Sequence, residues 1–270
     1  MSTIRNQNAP RPTGTRGPVI WPLLLVGVGI LLLLHNFLFL GDFDLISLWP
    51  LTLVVVGAII LLRGDASPSN DGRTFGITRG SVESATLVVQ SGEIDVSLGA
   101  LEHHERLAAG QYAHQSRPAL NVDGTHARLM LDRSRTPWLS WVDWQIGLAP
   151  NLPWEINIGS HIGQIDCDTS GLILNGALAS TGFGDIRWVG PLEALQPIAL
   201  RSTLGTIQFI APASANVRVI ISQGMLSKLH VNEQLYTRNE DGSYSKTGHD
   251  ASSPVYEVFI YSRVGDVFLI

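Results

Sequence analysis

Asn151–Gly171 reads NLPWEINIGSHIGQIDCDTSG, and the residues after it repeat its pattern in blocks of 21. Leu172–Leu192 is LILNGALASTGFGDIRWVGPL, Glu193–Ala213 is EALQPIALRSTLGTIQFIAPA and Ser214–Gln234 is SANVRVIISQGMLSKLHVNEQ. Ile156-Asn-Ile158, Ala177-Leu-Ala179, Ile198-Ala-Leu200 and Val219-Ile-Ile221 align as one strand. Ile162-Gly-Gln-Ile165, Phe183-Gly-Asp-Ile186 and Leu204-Gly-Thr-Ile207 align as the turn and strand that follow, while the fourth block drifts to Met225-Leu-Ser-Lys228. A period near 20 with two short strands per unit is the mark of stacked repeats, because no single unit can bury its own apolar face. Glycine at the fixed turn points to a positive φ or a close backbone approach. The reading predicts a β-solenoid-like stack with Ile165, Ile186 and Ile207 in one interior column; a plain β-sandwich with evenly spaced hairpins is the alternative.

Outward from the repeat, β character extends in both directions. Ala85–Val89 and Glu93–Leu98 read as a strand pair joined at Ser91-Gly92, and Ala127–Leu131 and Asp143–Leu148 as further strands. Gly92-Glu-Ile94 and Gly265-Asp-Val267 carry related turns. Ala100–Ala109, ALEHHERLAA, is the one stretch in this part that reads as a helix or turn. The whole of 81–270 is therefore expected to be one β-rich domain.

The N-terminal part differs. Val19–Leu40, VIWPLLLVGVGILLLLHNFLFL, and Leu45–Leu62, LISLWPLTLVVVGAIILL, carry no formal charge. Their lengths suit helices crossing a hydrocarbon layer of about 30 Å, and the intervening GDFD is a tight turn. Both contain WPLxLVxVG, with Trp at an interface, Pro in the first turn and Gly27, Gly29 and Gly57 small enough for close helix approach. A cleaved signal peptide fits poorly, since the first apolar run exceeds the usual 7–15 residues and no small-x-small site follows it. The expected organisation is a disordered basic N-terminus over 1–18, a two-helix transmembrane hairpin over 19–62, a linker over 63–80 and the β domain over 81–270. Arg5, Arg11 and Arg16 before the hairpin, Arg63, Arg73 and Arg79 after it, and Asp42 and Asp44 in its turn predict both termini in the cytoplasm of a multi-pass plasma-membrane protein.

Composition narrows the function classes. Of 270 residues 45% are apolar and 15% charged, and the net charge is −5. Residues 1–63 carry four Arg and two Asp; residues 64–270 carry 14 basic and 21 acidic side chains. An acidic body opposes nucleic-acid binding, which depends on Lys and Arg neutralising phosphates. One cysteine, Cys167, excludes an intramolecular disulfide and a multi-Cys zinc site. There is no P-loop, GxSxG elbow, HExxH or CxxC. Glu102-His-His-Glu105 gathers metal-ligating side chains, but adjacent residues on a helix diverge by about 100°, so they cannot converge on one ion. Flanking Asp166 and Asp168 would raise the Cys167 thiol pKa, which reads as a small core residue rather than a nucleophile. His35 reads as an interfacial histidine beside Asn36. Trp138, Trp141 and Trp144, in WLSWVDW, form either an interaction patch or the core and rim of a strand. No catalytic, cofactor or metal site is expected.

The hairpin echo with the glycine turns resembles LiaF-like proteins, membrane proteins of the bacterial response to cell-wall-active antibiotics. The residues that carry the resemblance are Ser91-Gly-Glu-Ile-Asp-Val96, Asp166-Cys-Asp-Thr-Ser-Gly-Leu172, Gly182-Phe-Gly-Asp-Ile186 and Val264-Gly-Asp-Val-Phe268. The resemblance implies a toast-rack β domain and a regulator of cell-envelope stress signalling that restrains a sensor histidine kinase. Three classes stay open: a membrane-anchored interaction module, with Trp138, Trp141, Trp144, Gly27, Gly29 and Gly57 as interaction candidates and the lipid bilayer and a membrane protein as partners; a self-associating scaffold, a homo-oligomer stacked through open strand edges; and a lipid- or ligand-binding protein.

Overall fold

The computed structural model describes residues 26–32, 54–56, 58, 72–102, 105–113, 116–134, 142–246 and 254–270. One compact unit comprises Asn70–Thr136 and Trp141–Ile270; the other, Met1–Ser69 with Pro137–Ser140, contributes only the described residues 26–32, 54–56 and 58.

The large unit is two facing sheets, built from nineteen strands among the described residues. The repeat supplies its centre. Each block contributes a long strand to a ten-stranded sheet and a short strand to a nine-stranded sheet: β8 (Pro153–Ile162) with β9 (Ile165–Asp168), β10 (Ile173–Phe183) with β11 (Ile186–Val189), and β12 (Ile198–Leu204) with β13 (Ile207–Ile210). Successive blocks pair in parallel, so equivalent residues stack. Ile165 pairs with Ile186 and Ile186 with Ile207, and all three are buried. Across the core, Leu87, Ile156, Ala177 and Ile198 form the facing row. Trp154, Trp188 and Phe209 fill the space between the sheets. Each fully buried Ile or Leu contributes roughly 1.5–3 kcal/mol.

The stack departs from chain order at its C-terminal end. β18 (Val255–Val264) and β19 (Val267–Leu269) lie against β12 and β13, and β14 (Asn216–Leu226) and β15 (Leu229–Val231) lie outside them. The fourth 21-residue block is thus displaced by one rung. Gly265-Asp-Val267 continues the glycine turn, which the Met225-Leu-Ser-Lys228 sequence cannot. At the other end β2 (Ser84–Gly92) and β3 (Val96–Ala100) form a rung of the same kind. They belong to different sheets, so Ser91-Gly92 begins a corner and not a hairpin.

Antiparallel strands close the N-terminal ends of both sheets and the C-terminal end of the ten-stranded one, while the nine-stranded sheet ends on the parallel strand β15. β1 (Gly72–Thr78), β4 (Arg106–Ala113) and β7 (Trp144–Leu148) extend the nine-stranded sheet, and β5 (Ala119–Asp123) and β6 (His126–Asp132) the ten-stranded one. β16 (Thr237–Arg238) and β17 (Tyr244–Lys246) cap β14. Lys246 is buried and donates from Nζ to the carbonyls of Ala211 and Pro212, with burial lowering its pKa. This ties the cap to the loop after β13.

The sequence reading needs several corrections. The fold class expected above, a membrane α-helical hairpin joined to a β-solenoid-like domain, is overturned: the described residues are nearly all β. The helical stretches among them are 26–32 and 54–58, broken at the undescribed residue 57. Seven helical residues rise about 10 Å, a third of a hydrocarbon layer, and no helix among the described residues is long and apolar enough to cross a membrane. The transmembrane hairpin over 19–62, and the multi-pass plasma-membrane localisation drawn from it, are withdrawn on that finding; the rest of that segment lies outside the described residues. β1 lies inside the stretch read as a linker. ALEHHERLAA is not helical where described: its second half enters β4, with Leu107 and Ala108 buried. Pairing with β1 and β7 overrides its helical propensity.

Candidate functional site

The long and short strands of each rung meet at a corner, and there the repeat shows a pattern that burial does not explain. The corner sequences are Ser160-His-Ile-Gly-Gln-Ile165, Thr181-Gly-Phe-Gly-Asp-Ile186, Ser202-Thr-Leu-Gly-Thr-Ile207 and Ser262-Arg-Val-Gly-Asp-Val267. Each position has its own task.

The first residue carries a buried hydroxyl. Ser160 donates to the Gly92 carbonyl at 3.3 Å, Thr181 to that of Gly163 at 3.3 Å and Ser202 to that of Gly184 at 3.4 Å, each one rung back. Ser262 donates to Gly265 of its own corner at 3.1 Å. Replacing Thr181 with Val keeps the shape and removes one such bond. The expected loss is about 1 kcal/mol, read as a lower urea midpoint at unchanged slope.

The glycine makes the corner. Gly163, Gly184, Gly205 and Gly265 have φ of 150°, 147°, 148° and 120°. A Cβ on Gly184 would lie 2.1 Å from the Gly163 carbonyl oxygen, and one on Gly205 2.0 Å from that of Gly184. The glycine N–H groups hold the next rung: Gly163 donates to Phe183, Gly184 to Leu204 (both 2.9 Å) and Gly205 to Val264 (3.0 Å).

The residue before the glycine is apolar every time, yet in three of the four corners it is exposed, and in the fourth Val264 is half-buried. Ile162 is 55% exposed, Phe183 56% and Leu204 48%. Phe183 pairs with both Ile162 and Leu204, Leu204 with Val264, and Val264 with the exposed Leu226. The result is an apolar ladder across five adjacent strands, about 19 Å long at the usual strand spacing. The carbonyls of Phe183, Leu204 and Val264 accept the glycine bonds above, so its backbone is fixed in place.

Polar groups flank the ladder. On the side of the nine-stranded sheet run Asp95, Asp185 and Asp266, with Asp95 accepting from the Gln164 amide at 2.7 Å and Asp185 from the Thr206 amide at 2.6 Å. Asp143 continues this file; burial and the nearby Asp95 charge raise its pKa. A carboxyl that is harder to ionise when folded loses stability as pH rises through the carboxylate range. Asp143→Asn therefore raises the melting temperature near pH 7, and the gain vanishes below about pH 3, where both states are protonated. On the other side of the ladder His161 and Arg263 are exposed.

Two concave features lie elsewhere. A cleft of 360 Å³ on the outer face of the ten-stranded sheet is lined by Thr86, Asn121, Asp123, His126, Arg128 and Glu155, among others. Its polar groups bond largely to one another: His126 bridges the hydroxyls of Ser84 and Thr86 at 2.8 and 3.0 Å, and Thr86 donates to Glu155 at 3.4 Å. An open groove of 950 Å³ lies beside β15 and the β16–β17 cap. There His230 stacks on Phe268 with centroids 4.6 Å apart and approaches Asp266 at 3.3 Å. Among the described residues no group of three or more His, Cys, Asp or Glu side chains is placed to hold a metal ion.

Trp144 is fully buried in β7, so it belongs to the core and not to an exposed patch. Trp138, Trp141, Gly57, His35, His103 and His104 lie outside the described residues. Gly27 and Gly29 lie in the helical stretch 26–32, and a Cβ on Gly27 would meet open space rather than a close neighbour. Cys167 is buried; its thiol pKa is pushed well up by burial and by Asp166, which pairs with Arg187 at 2.8 Å. The exposed ladder was not singled out. Its signal was present in the aligned blocks as an apolar residue before each glycine, but a strand pattern alone does not tell a corner from a core position.

No family model matches the chain, and no curated protein matches it. A solved structure shares its architecture. That structure, described as a "putative cell adhesion protein" from Clostridium sporogenes, superposes with a TM-score of 0.65 at 16% identity, covering 74% of this chain and 99% of that one. At that identity the likeness shows a common fold. A second, described as a "putative adhesin" from Bacteroides fragilis, matches at 13% identity over 75% of this chain and 99% of that one, with a TM-score of 0.30, which is too low to argue from. These matches do not bear on the LiaF-like resemblance.

Proposed function

We propose that this chain is a non-catalytic binding module that recognises a protein through the corner ladder Ile162–Phe183–Leu204–Val264–Leu226. The observation that carries the reading is the recurrence: four corners place an apolar side chain before the glycine, exposed in three of them and half-buried at Val264. A contiguous exposed apolar stripe rimmed by charge is the usual signature of a protein interface. The polar cleft and the Asp166–Arg187 pair, by contrast, are accounted for by their own internal bonds. The name given to the Clostridium sporogenes protein, cell adhesion, belongs to the same broad class of binding function. The LiaF-like resemblance adds a sensor histidine kinase as one candidate partner and rests on the motifs alone.

Photo-crosslinking tests the reading. A benzophenone side chain at Leu204 in the full chain, expressed in its native cell, is expected to give a protein adduct. The same group at Gln208, on the outer face of the nine-stranded sheet, is expected to give none. Equal labelling at both positions, or none at Leu204, overturns the proposal.

A further inference from the structure

We propose that the occupant of the corner ladder is the same ladder on a second copy of this chain, related by a two-fold axis running along it. This rests on the binding reading above and names its partner.

Three observations lead there. The ladder is uncharged and centred on Leu204, with Ile162 and Phe183 on one side and Val264 and Leu226 on the other. A patch without charge can face itself without burying an unpaired ion, as an isologous contact requires. The flanks then select the symmetry. Arg263 lies on one side of Val264 and Asp266 on the other, and Arg263 has no ion-pair partner among the described residues. Rotation about an axis along the ladder sets Asp266 of each copy against Arg263 of the other, so that pair forms twice. Rotation about an axis across the ladder would oppose Asp with Asp. Finally, the stack ends are poor sites for copies to add. Three of the four sheet edges, β1, β5 and β16, are antiparallel strands, and the C-terminal edges are only three and two residues long in β15 and β16. Five partly exposed side chains fall below the roughly 800 Å² per partner of a standard interface, so the dimer is weak and concentration-dependent.

The test uses the purified full chain. Cys167 is buried, so a cysteine placed on the ladder is the reactive thiol among the described residues. With a short bismaleimide, Leu204→Cys is expected to form a covalent dimer, as it would under either symmetry. Ile162→Cys also dimerises with itself if the axis runs along the ladder. If the axis runs across it, Ile162→Cys crosslinks only to Leu226→Cys on the other copy, and the proposed symmetry is wrong. In sedimentation velocity the average mass should rise with concentration. Phe183→Thr with Leu204→Thr should weaken association at least tenfold. Arg263→Asp should weaken it by about fivefold, and adding Asp266→Arg should restore it. A chain that stays monomeric, or a dimer indifferent to the ladder substitutions, overturns the inference. If Leu204 then still gives an adduct with a different protein in the cell, the binding reading stands and only the second-copy assignment fails.

Discussion

Gly184→Ala is expected to lower stability by about 3 kcal/mol or more, a fall in melting temperature of about 6–12 °C for a domain of this size. Two costs combine. At φ 147° an L side chain is strained whatever the space around it. The added methyl would also lie 2.1 Å from the Gly163 carbonyl oxygen, and that atom is backbone, unable to swing away. Relief requires the two rungs to separate, which stretches the Gly163–Phe183 and Ile165–Asp185 bonds, both 2.9 Å. Because rungs stack on one another, the damage passes to both neighbours. Ala at Gly27, where the added methyl meets nothing within 4 Å, is the internal control and should leave the melt of the β body unchanged. Differential scanning calorimetry of the two variants checks the contrast.

Trp144→Ala is expected to cost about 3–5 kcal/mol, the usual range for removing a large aromatic side chain from a core. Trp144 has no exposed surface and pairs along β7 with Val96 of β3, so its loss opens a cavity at the end of the nine-stranded sheet. Its indole N–H has no hydrogen-bond partner among the described residues. Trp144→Phe should therefore be much milder, since it keeps most of the ring and removes an unsatisfied donor. Chemical denaturation of both variants separates the cases: two equal losses would mean that the indole nitrogen is bonded after all, and no loss in either would return Trp144 to the surface.

How much of this was legible depended on whether the information was local. The glycine turns and the Ile165, Ile186 and Ile207 column could be read because one 21-residue unit encodes both, and each rung repeats its neighbour. The insertion of β18 and β19 could not, because their pairing with β12 and β13 joins residues about 60 positions apart and leaves no trace in the period. Gly265-Asp-Val267 was visible as a related turn; its place in the same file follows only from the fold. ALEHHERLAA misled because Ala, Leu and Glu favour helices locally, whereas strand pairing on both sides decides the outcome. The N-terminal segments misled through composition. Apolar length is necessary for a membrane helix, and the described helical stretches do not reach it. The candidate site was half legible: the apolar residue before each glycine was in the alignment, and its exposure arises from the corner that the glycine creates.

The central claim, that the ladder serves binding and not the core, is tested most directly by removing its apolar character at constant shape of backbone. Ile162→Thr, Phe183→Thr and Leu204→Thr, made together, keep β-forming residues at the corner. The measurement is the thermal melt of this triple variant alongside its Leu226-directed photo-adduct in the cell. The account predicts loss of the adduct, with the melting temperature held to within about 3 °C of the parent. Unfolding of the variant, or an adduct that survives unchanged, would contradict it.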